Sequence, residues 1–152
     1  MQKITPFLWF DKEAGEAAKF YVSVFKNSRI KSTETIPNTP SGTIEIVSIE
    51  LMGQEFTLMS AGPLFKFNES ISFVVNCETQ EEVDYYWERL TSGGGQESMC
   101  GWLKDRYGLS WQIVPTELNR LLKEDKSGRV MQAMLQMKKI DIKTLKQAYG
   151  QR

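Results

Sequence analysis

No imidazole is available for chemistry in this sequence, because its 152 residues include no histidine, and thiols and carboxylates are the first candidate reactive groups. This excludes every His-based zinc, iron or copper site, every Ser-His or Cys-His dyad, and general-base catalysis by histidine. Two cysteines, Cys77 and Cys100, are too few for a disulfide framework and are predicted to be reduced thiols. Cys100 would be reactive only beside cationic groups, and no such set is evident around it.

The carboxylates offer a second route to chemistry, but most of them follow predicted helix starts. Negative charge at a helix N-terminus is favoured by the helix dipole, so structure alone accounts for this group. Its members are Glu13, Glu16, Glu78, Glu81 and Glu82. Glu45 and Glu50 lie on opposite faces of a predicted strand, which leaves one of them on the inner face.

Composition and charge place the chain among ordinary globular proteins. Apolar residues make up 41% and charged residues 25%, and a chain of this length buries roughly 70% of its unfolded surface without disulfides or metal. Nineteen basic and nineteen acidic residues cancel, so neither a nucleic-acid partner nor an anionic membrane surface is predicted. No signal peptide or apolar run of membrane-spanning length is evident, which predicts a cytoplasmic protein.

The glycine motifs typical of nucleotide binding and of serine hydrolases are missing from the sequence. There is no Walker loop, no dinucleotide fingerprint and no nucleophile elbow. The one glycine cluster, Gly93-Gly94-Gly95, follows a helical pattern and is interpreted as a helix stop and turn rather than a phosphate loop.

The first part of the chain is predicted to form one strand, one helix and three further strands. Asp11 is the predicted cap of the helix, whose apolar positions are spaced for a single buried face. The strands are bounded by Pro37 to Gly42 and by a turn at Gly53-Gln54. The predicted strands are Ile4 to Phe10, Arg29 to Ile36, Thr43 to Met52 and Glu55 to Ser60, and the helical face is Ala14, Ala17, Ala18, Tyr21 and Phe25.

The same order then begins again. Ile71 to Asn76 is a predicted strand, Thr79 and Glu82 form a capping box, and strand-like pieces follow at Met99 to Lys104 and Leu109 to Pro115. An offset of 65 aligns the first strands of the two units, and an offset of 55 aligns their last strands. Two βαβββ copies are the economical interpretation, and chance likeness of two strand–helix units is the alternative.

The tail from Thr116 onward is predicted to be helical, with Asp141 capping the last helix. Its methionines occur at helical spacing, which is typical of packing against the protein's own sheet or against a dimer partner. A Met-rich ligand groove is the alternative. The domain prediction is therefore one domain over 1–152, with module one at about 1–62, module two at about 69–115 and a helical tail at 116–152.

Several stretches resemble a known superfamily, including Ala17 to Tyr21 and Val83 to Trp87 on the two helices. The opening Ile4 to Asp11 resembles the first module of the vicinal-oxygen-chelate superfamily, which includes glyoxalase I, bleomycin-resistance proteins and extradiol dioxygenases. Ile71 to Cys77 and Cys100 to Gln112 are similar to its PhnB-like branch, often labelled 3-demethylubiquinone 3-methyltransferase. The resemblance implies an α+β fold in which paired βαβββ modules form a curved, barrel-like mixed sheet with a cavity, usually in a homodimer.

The resemblance also implies where a metal would be held. Superfamily enzymes use one ligand from the first and one from the fourth strand of each module, and these positions fall at Thr5, Thr57, Ser70 and Gln112. Hydroxyl and amide groups supply neither the charge nor the ligands that catalytic divalent-metal sites commonly use. No metal and no cofactor are therefore predicted.

The metal-equivalent positions still define a candidate binding cavity. Because side chains alternate across a strand, their neighbours of the same parity share the cavity face, and Trp102 is a candidate lid residue. The predicted lining is aromatic, slightly polar and uncharged: Thr5, Phe7, Trp9, Thr57, Met59, Ser70, Ser72, Trp102 and Gln112. Such a lining suits a small apolar or aromatic molecule, with binding dependent on Trp9 and Gln112, unless Phe7 and Trp9 simply fill the interior.

Two functions are compatible with these residues. The first is a metal-free small-molecule binding protein of the glyoxalase and bleomycin-resistance fold. The alternative is an enzyme of the same fold, either a 3-demethylubiquinone 3-methyltransferase-like protein or a metal-assisted lyase or dioxygenase with atypical ligands. No glycine-rich methyl-donor turn follows a first parallel strand in this sequence, so a methyltransferase would have to hold its donor in another way.

Overall fold

The computed structural model of the protein describes residues 2–150 and divides into two compact units between Phe67 and Asn68. Each unit contains one four-stranded mixed sheet, and three further helices follow the second sheet. The predicted α+β class, with two βαβββ modules and C-terminal helices, is confirmed.

The first unit builds its sheet in the order β1-β4-β3-β2. β1 runs parallel to β4, and the other two pairs are antiparallel. The helix α1 buries a stripe of small and aromatic side chains, as its spacing predicts. The elements are β1 (Phe7–Phe10), α1 (Ala14–Val24), β2 (Arg29–Thr39), β3 (Gly42–Leu51) and β4 (Gln54–Ser60).

The start of α1 differs from the prediction. Asp11 is not its cap: the N-cap residue is Glu13, and that side chain makes no capping hydrogen bond. The hydroxyl of Ser60, at the end of β4, accepts a hydrogen bond from the Ala14 N–H at 2.9 Å instead. An unsatisfied helix donor is thus capped from a distant strand, which local sequence rules do not detect.

The predicted break at Pro37 to Gly42 is also shorter in the structure. β2 continues through Pro37 to Thr39, and a tight turn leads into β3 at Gly42, whose φ is +83°. Proline is tolerated there because β2 lies at the edge of the sheet.

The second unit repeats this arrangement with shorter strands, in the order β5-β8-β7-β6. Thr79 caps α2 as predicted, because its side chain accepts a hydrogen bond from the Glu82 N–H at 3.2 Å. The glycine cluster after α2 forms a turn, with positive φ at Gly93 and Gly94. The elements are β5 (Ser72–Cys77), α2 (Gln80–Thr91), β6 (Gln96–Glu97), β7 (Trp102–Lys104) and β8 (Ser110–Pro115).

The tail helices belong to the second unit and pack together around a small core of their own. These helices are α3 (Thr116–Glu124), α4 (Arg129–Leu135) and α5 (Ile142–Gly150). Their shared core consists of Leu118, Leu121, Val130, Ile140 and Leu145, with Met134 and Met137 packed against it. The main chain of the tail is joined to the sheet where the N–H groups of Cys100 and Gly101 donate to the carbonyls of Met137 and Lys138, at 2.7 and 2.8 Å. Among residues 2–150, no helix is long and apolar enough to cross a bilayer.

Candidate functional site

Each sheet has one buried face and one more exposed face, which we call the open face. On the second sheet the tail helices cover the end of the open face at Val114. On β1, Leu8 and Phe10 are 8% and 2% exposed, whereas Phe7 at the start of the strand is 56% exposed. Trp9 and Met59 are register partners on this open face, as are Phe7 and Thr57. Strand alternation therefore places Phe7, Trp9, Thr57 and Met59 on one face, as the sequence predicts.

A pocket of about 520 Å³ opens on this face of the first unit. Thr5 and Thr57 both line it, so the structure brings the two predicted first-module positions together. The pocket is not free of charge, because Lys31 and Glu55 also line it and form an ion pair. The ammonium group of Lys31 holds the pKa of the Glu55 carboxyl below its usual value. The expectation of an uncharged lining is therefore wrong for this unit.

Trp9 lies on the open face, but its indole is already engaged. The indole N–H donates to the carbonyl oxygen of Gly62 at 2.8 Å, and the ring meets Phe65 edge-on with centroids 5.0 Å apart. Trp9 thus fixes the segment that follows β4, and it is only partly available to a ligand.

The open face of the second sheet carries an amide and a hydroxyl that touch each other. The Gln112 side chain donates to the Ser72 hydroxyl at 2.9 Å. Gln112 lies between two register partners, Val74 on β5 and Trp102 on β7. Trp102 is half-buried while the next residue, Leu103, is fully buried, so the indole shares the face of Gln112. Three of the predicted residues, Ser72, Trp102 and Gln112, therefore lie together.

Ser70 does not join this group. It lies in a turn before β5, where both its N–H and its hydroxyl donate to the Asn68 side chain. The register places Gln112 opposite Val74, four residues beyond Ser70, or about 13 Å along an extended strand.

The strand register also shows that the offsets of 65 and 55 cannot both be correct for paired strands. Phe7 lies opposite Thr57, but its offset-65 counterpart, Ser72, lies opposite Ser110 and not Gln112. The difference is two residues, which keeps every side chain on its predicted face and moves it along the strand.

Charged residues of the open faces were missing from the predicted set. Glu55 could have been found by parity, since it precedes Thr57 by two positions. Lys31 could not, because an irregularity in the β2–β3 pairing falls between Ile30 and Ser32. In the second unit Lys104 pairs with Glu69 and holds the pKa of that carboxyl below its usual value.

The thiols and carboxylates outside these faces have structural environments. Both cysteines are free, as predicted, and Cys77 is fully buried. Burial, followed by the charges of Glu82 and Glu78, raises the pKa of the Cys77 thiol to about 12, so it is a poor nucleophile at neutral pH. Within residues 2–150, no group of three or more Cys, Asp or Glu side chains is placed to hold a metal ion.

A larger pocket of about 700 Å³ lies at the starts of α2 and α5, outside the predicted site. Its lining mixes carboxylates such as Glu78 and Asp141 with Lys143 and Lys146. The Gln80 side chain also lines the pocket. Its NH2 group donates to the Ile140 carbonyl at 3.0 Å, and its oxygen accepts from the Ile142 N–H at 2.8 Å. These groups join the tail to α2.

Comparison with known proteins places this geometry in a family. Residues 2–114 match the family described as 3-demethylubiquinone-9 3-methyltransferase. The chain belongs to this family. The family match covers both sheets except for Pro115, and α3 to α5 lie beyond it. No curated protein matches the sequence.

Solved structures share the fold of this chain. A putative 3-demethylubiquinone-9 3-methyltransferase, PhnB protein, from Bacillus cereus is 34% identical, with a TM-score of 0.67 over 75% of this chain and 99% of that chain. Protein PA1353 from Pseudomonas aeruginosa is 20% identical, with a TM-score of 0.55 over 76% and 98%. A mutant of the fosfomycin resistance protein FosX from Listeria monocytogenes, complexed with Mn(II) and 1S,2S-dihydroxypropylphosphonic acid, is 15% identical, with a TM-score of 0.55 over 75% and 93%. The glyoxalase-like fold of the vicinal-oxygen-chelate superfamily is thereby shared.

Proposed function

We propose that the protein binds a small apolar or aromatic molecule on the open face of its second sheet, without a metal ion or other cofactor. The observation that carries the proposal is the Gln112–Ser72 hydrogen bond of 2.9 Å, flanked by Trp102 and Val74. An amide held by a neighbouring hydroxyl can orient a ligand that stacks on an adjacent indole.

The side chains of this group are free to take a ligand. Within the described residues 2–150, the Trp102 indole N–H makes no hydrogen bond, and Gln112 uses only one of its hydrogen-bonding positions. Val74 is 49% exposed, so the apolar surface beside the amide is accessible. A flat molecule with one polar edge would cover the indole and exchange hydrogen bonds with the amide.

The metal used by enzymes of this superfamily does not fit the residues present. The positions that the resemblance implies are Thr5, Thr57, Ser70 and Gln112, which offer only neutral oxygen or nitrogen donors. Ser70 also lies away from Gln112, and its hydroxyl already donates to Asn68. Divalent cations at catalytic sites commonly require carboxylate or imidazole ligands. These side chains therefore do not support a metal-dependent reaction.

An enzymatic role is the second candidate, and the description of the matching family favours it. It would be either a 3-demethylubiquinone 3-methyltransferase-like activity or a metal-assisted lyase or dioxygenase reaction with atypical ligands. The hydrogen-bond and strand partners of Gln112 are Ser72, Val74 and Trp102, and none of these side chains is a general base at neutral pH. Product formation from a quinol with a methyl donor would overturn the proposal of binding without catalysis.

Replacing Trp102 by alanine will weaken the binding of the neutral aromatic probe N-phenyl-1-naphthylamine by about tenfold, because a central aromatic contact carries much of the binding energy. Probe fluorescence in a titration measures the effect. Tyr149→Ala is the control, since it removes an exposed aromatic ring from α5. Equal affinities of the wild type and Trp102→Ala would contradict the proposed site.

Replacing Gln112 by glutamate will not create a zinc site, because Ser72 and Trp102 beside it supply no second thiolate, imidazole or carboxylate ligand. Native mass spectrometry in the presence of about micromolar zinc is expected to show no equimolar metal in either form. Equimolar zinc in the wild type would overturn the metal-free proposal. Equimolar zinc in Gln112→Glu alone would contradict this prediction, because it would show that further metal ligands lie within reach of this position.

We also propose that the protein is a cytoplasmic homodimer. The two free cysteines suit a reducing compartment. The edge strands β1 and β5 carry exposed apolar side chains, Phe7 and Val74, which pairing of two copies would cover. Light scattering is expected to give twice the chain mass, and a monomer across working concentrations would contradict the dimer.

A further inference from the structure

Three hydroxyl groups form a straight row across the open face of the first sheet. Ser32 on β2 lies opposite Ser48 on β3, and Ser48 lies opposite Thr57 on β4. Neighbouring strands are about 4.8 Å apart, so the row spans roughly 10 Å. We call Ser32, Ser48 and Thr57 the hydroxyl row, and all three line the pocket of about 520 Å³.

The hydroxyl row is not used by the protein itself. Within residues 2–150, none of the three side-chain hydroxyls makes a hydrogen bond, and the same is true of Thr5 at the same pocket. Each hydroxyl can donate one hydrogen bond and accept two. Ser48 and Thr57 are half-buried, which limits their access to solvent and makes a bound polar partner favourable.

The charges around the row cancel. Lys31 pairs with Glu55 inside the pocket, and Arg29 pairs with Glu50 in the next row of the sheet at 3.4 Å. A pocket in which each carboxylate has its own cation holds no net charge to attract an ion. The second oxygen of a paired carboxylate can still accept a hydrogen bond from a neutral ligand.

The row ends on an apolar surface. Phe7 lies opposite Thr57 at one end of the row and is 56% exposed. Sugars and cyclic polyols combine polar and apolar surfaces in a matching way, because hydroxyl groups surround the ring and C–H groups cover its faces. A ring lying over Phe7 and Thr57 would pack its C–H face on the aromatic ring while its hydroxyls meet the row.

We propose that the first-unit pocket binds a neutral polyhydroxylated molecule, of the carbohydrate or cyclic polyol class, through the hydroxyl row and Phe7. The volume of about 520 Å³ is within the range of ligand pockets and accommodates a mono- or disaccharide. The inference rests on the proposed small-molecule binding function and names the ligand class of the first unit, separately from the site around Gln112.

Saturation-transfer difference NMR with maltose and with myo-inositol tests the proposal on the full chain. We expect at least one of these probes to bind, and Ser48→Ala and Thr57→Val each to weaken it by about three- to tenfold, which corresponds to one neutral hydrogen bond. The double variant is expected to lose the signal at about millimolar probe. Thr33→Val is the matched control, because Thr33 lies opposite Val47 and faces the other side of the sheet.

The outcomes separate this proposal from the broader one. No transfer to either probe at about 10 mM would overturn the ligand class, even where N-phenyl-1-naphthylamine still binds through Trp102. Binding that Thr33→Val weakens as much as Thr57→Val does would overturn the assignment to the hydroxyl row. Circular dichroism and thermal unfolding of each variant show whether lost binding reflects lost folding, and Ser48→Ala provides a second, smaller change at the same row.

Discussion

Replacing Asp105 by alanine will lower the free energy of unfolding by about 3–5 kcal/mol, because its carboxylate satisfies three donors in a buried position. Asp105 is 2% exposed. It accepts hydrogen bonds from the N–H groups of Tyr107 and Leu109 at 2.8 and 3.1 Å, and from the indole N–H of Trp111 at 2.9 Å. Alanine would leave these donors without their acceptor in a region that excludes water.

Urea unfolding followed by fluorescence and by circular dichroism measures this loss. Asp105→Asn should lose less than Asp105→Ala, since the amide oxygen can still accept the two backbone hydrogen bonds while its NH2 group faces the Trp111 donor. Asp125→Ala is the control, because Asp125 also accepts backbone hydrogen bonds, from Ser127 and Val130, but is partly exposed. A loss for Asp105→Ala no larger than that for Asp125→Ala would contradict the prediction.

Substitution of Asp105 is also expected to affect the candidate site, because Asp105 stabilises the turn between β7 and β8. That turn sets the register of the two strands and therefore the pairing of Trp102 with Gln112. A variant that loosens the turn should weaken binding of the aromatic probe at the Trp102 site even where the protein remains folded.

Local patterns in the sequence predict most of the elements and the faces of the strands. The helix periodicity that ends near Phe25 and the alternation around Trp9 depend on residues close in the chain, so they can be recognised without the fold. The capping side chain of Thr79 is correct for the same reason. The resemblance in Cys100 to Gln112 added the family, which the comparisons confirm.

Features that depend on distant residues could not be predicted. Strand register is fixed by pairing across the sheet, and the offsets of 65 and 55 differ from it by two residues because they come from separate alignments of separate strands. The capping of α1 by Ser60 also depends on residues that are distant in the chain, and so does the position of Lys31 beside Glu55. Strand parity places Trp9 on the open face, but only the hydrogen bond from its indole to Gly62 shows that this side chain is already engaged.

Replacing Gly101 by alanine will destabilise the second unit by about 3 kcal/mol, because the position combines a left-handed backbone with a close approach of two other segments. The φ of Gly101 is +85°. A Cβ atom there would lie 2.9 Å from the carbonyl oxygen of Ile113 and 3.1 Å from the Ile140 side chain. The same residue accepts a hydrogen bond from the Ile113 N–H and donates one to the Lys138 carbonyl, both at 2.8 Å, so displacement would disturb both β8 and the tail.

Gly108→Ala separates the two causes of this loss. Gly108 has nearly the same φ, +86°, but no atom lies within 4 Å of the position of its Cβ. Alanine at Gly108 should therefore cost only the left-handed backbone penalty of about 1 kcal/mol. The difference between the variants, about 2 kcal/mol in urea unfolding, measures the contact between Gly101, β8 and the tail. Faster hydrogen exchange at the Gly101 and Ile113 amides is expected in Gly101→Ala alone, because only that substitution forces the tail away from the sheet. An equal decrease in the free energy of unfolding in the two variants would contradict this prediction. It would mean that the tail accommodates the added methyl group and that the contact of Gly101 with Ile140 does not stabilise the second unit.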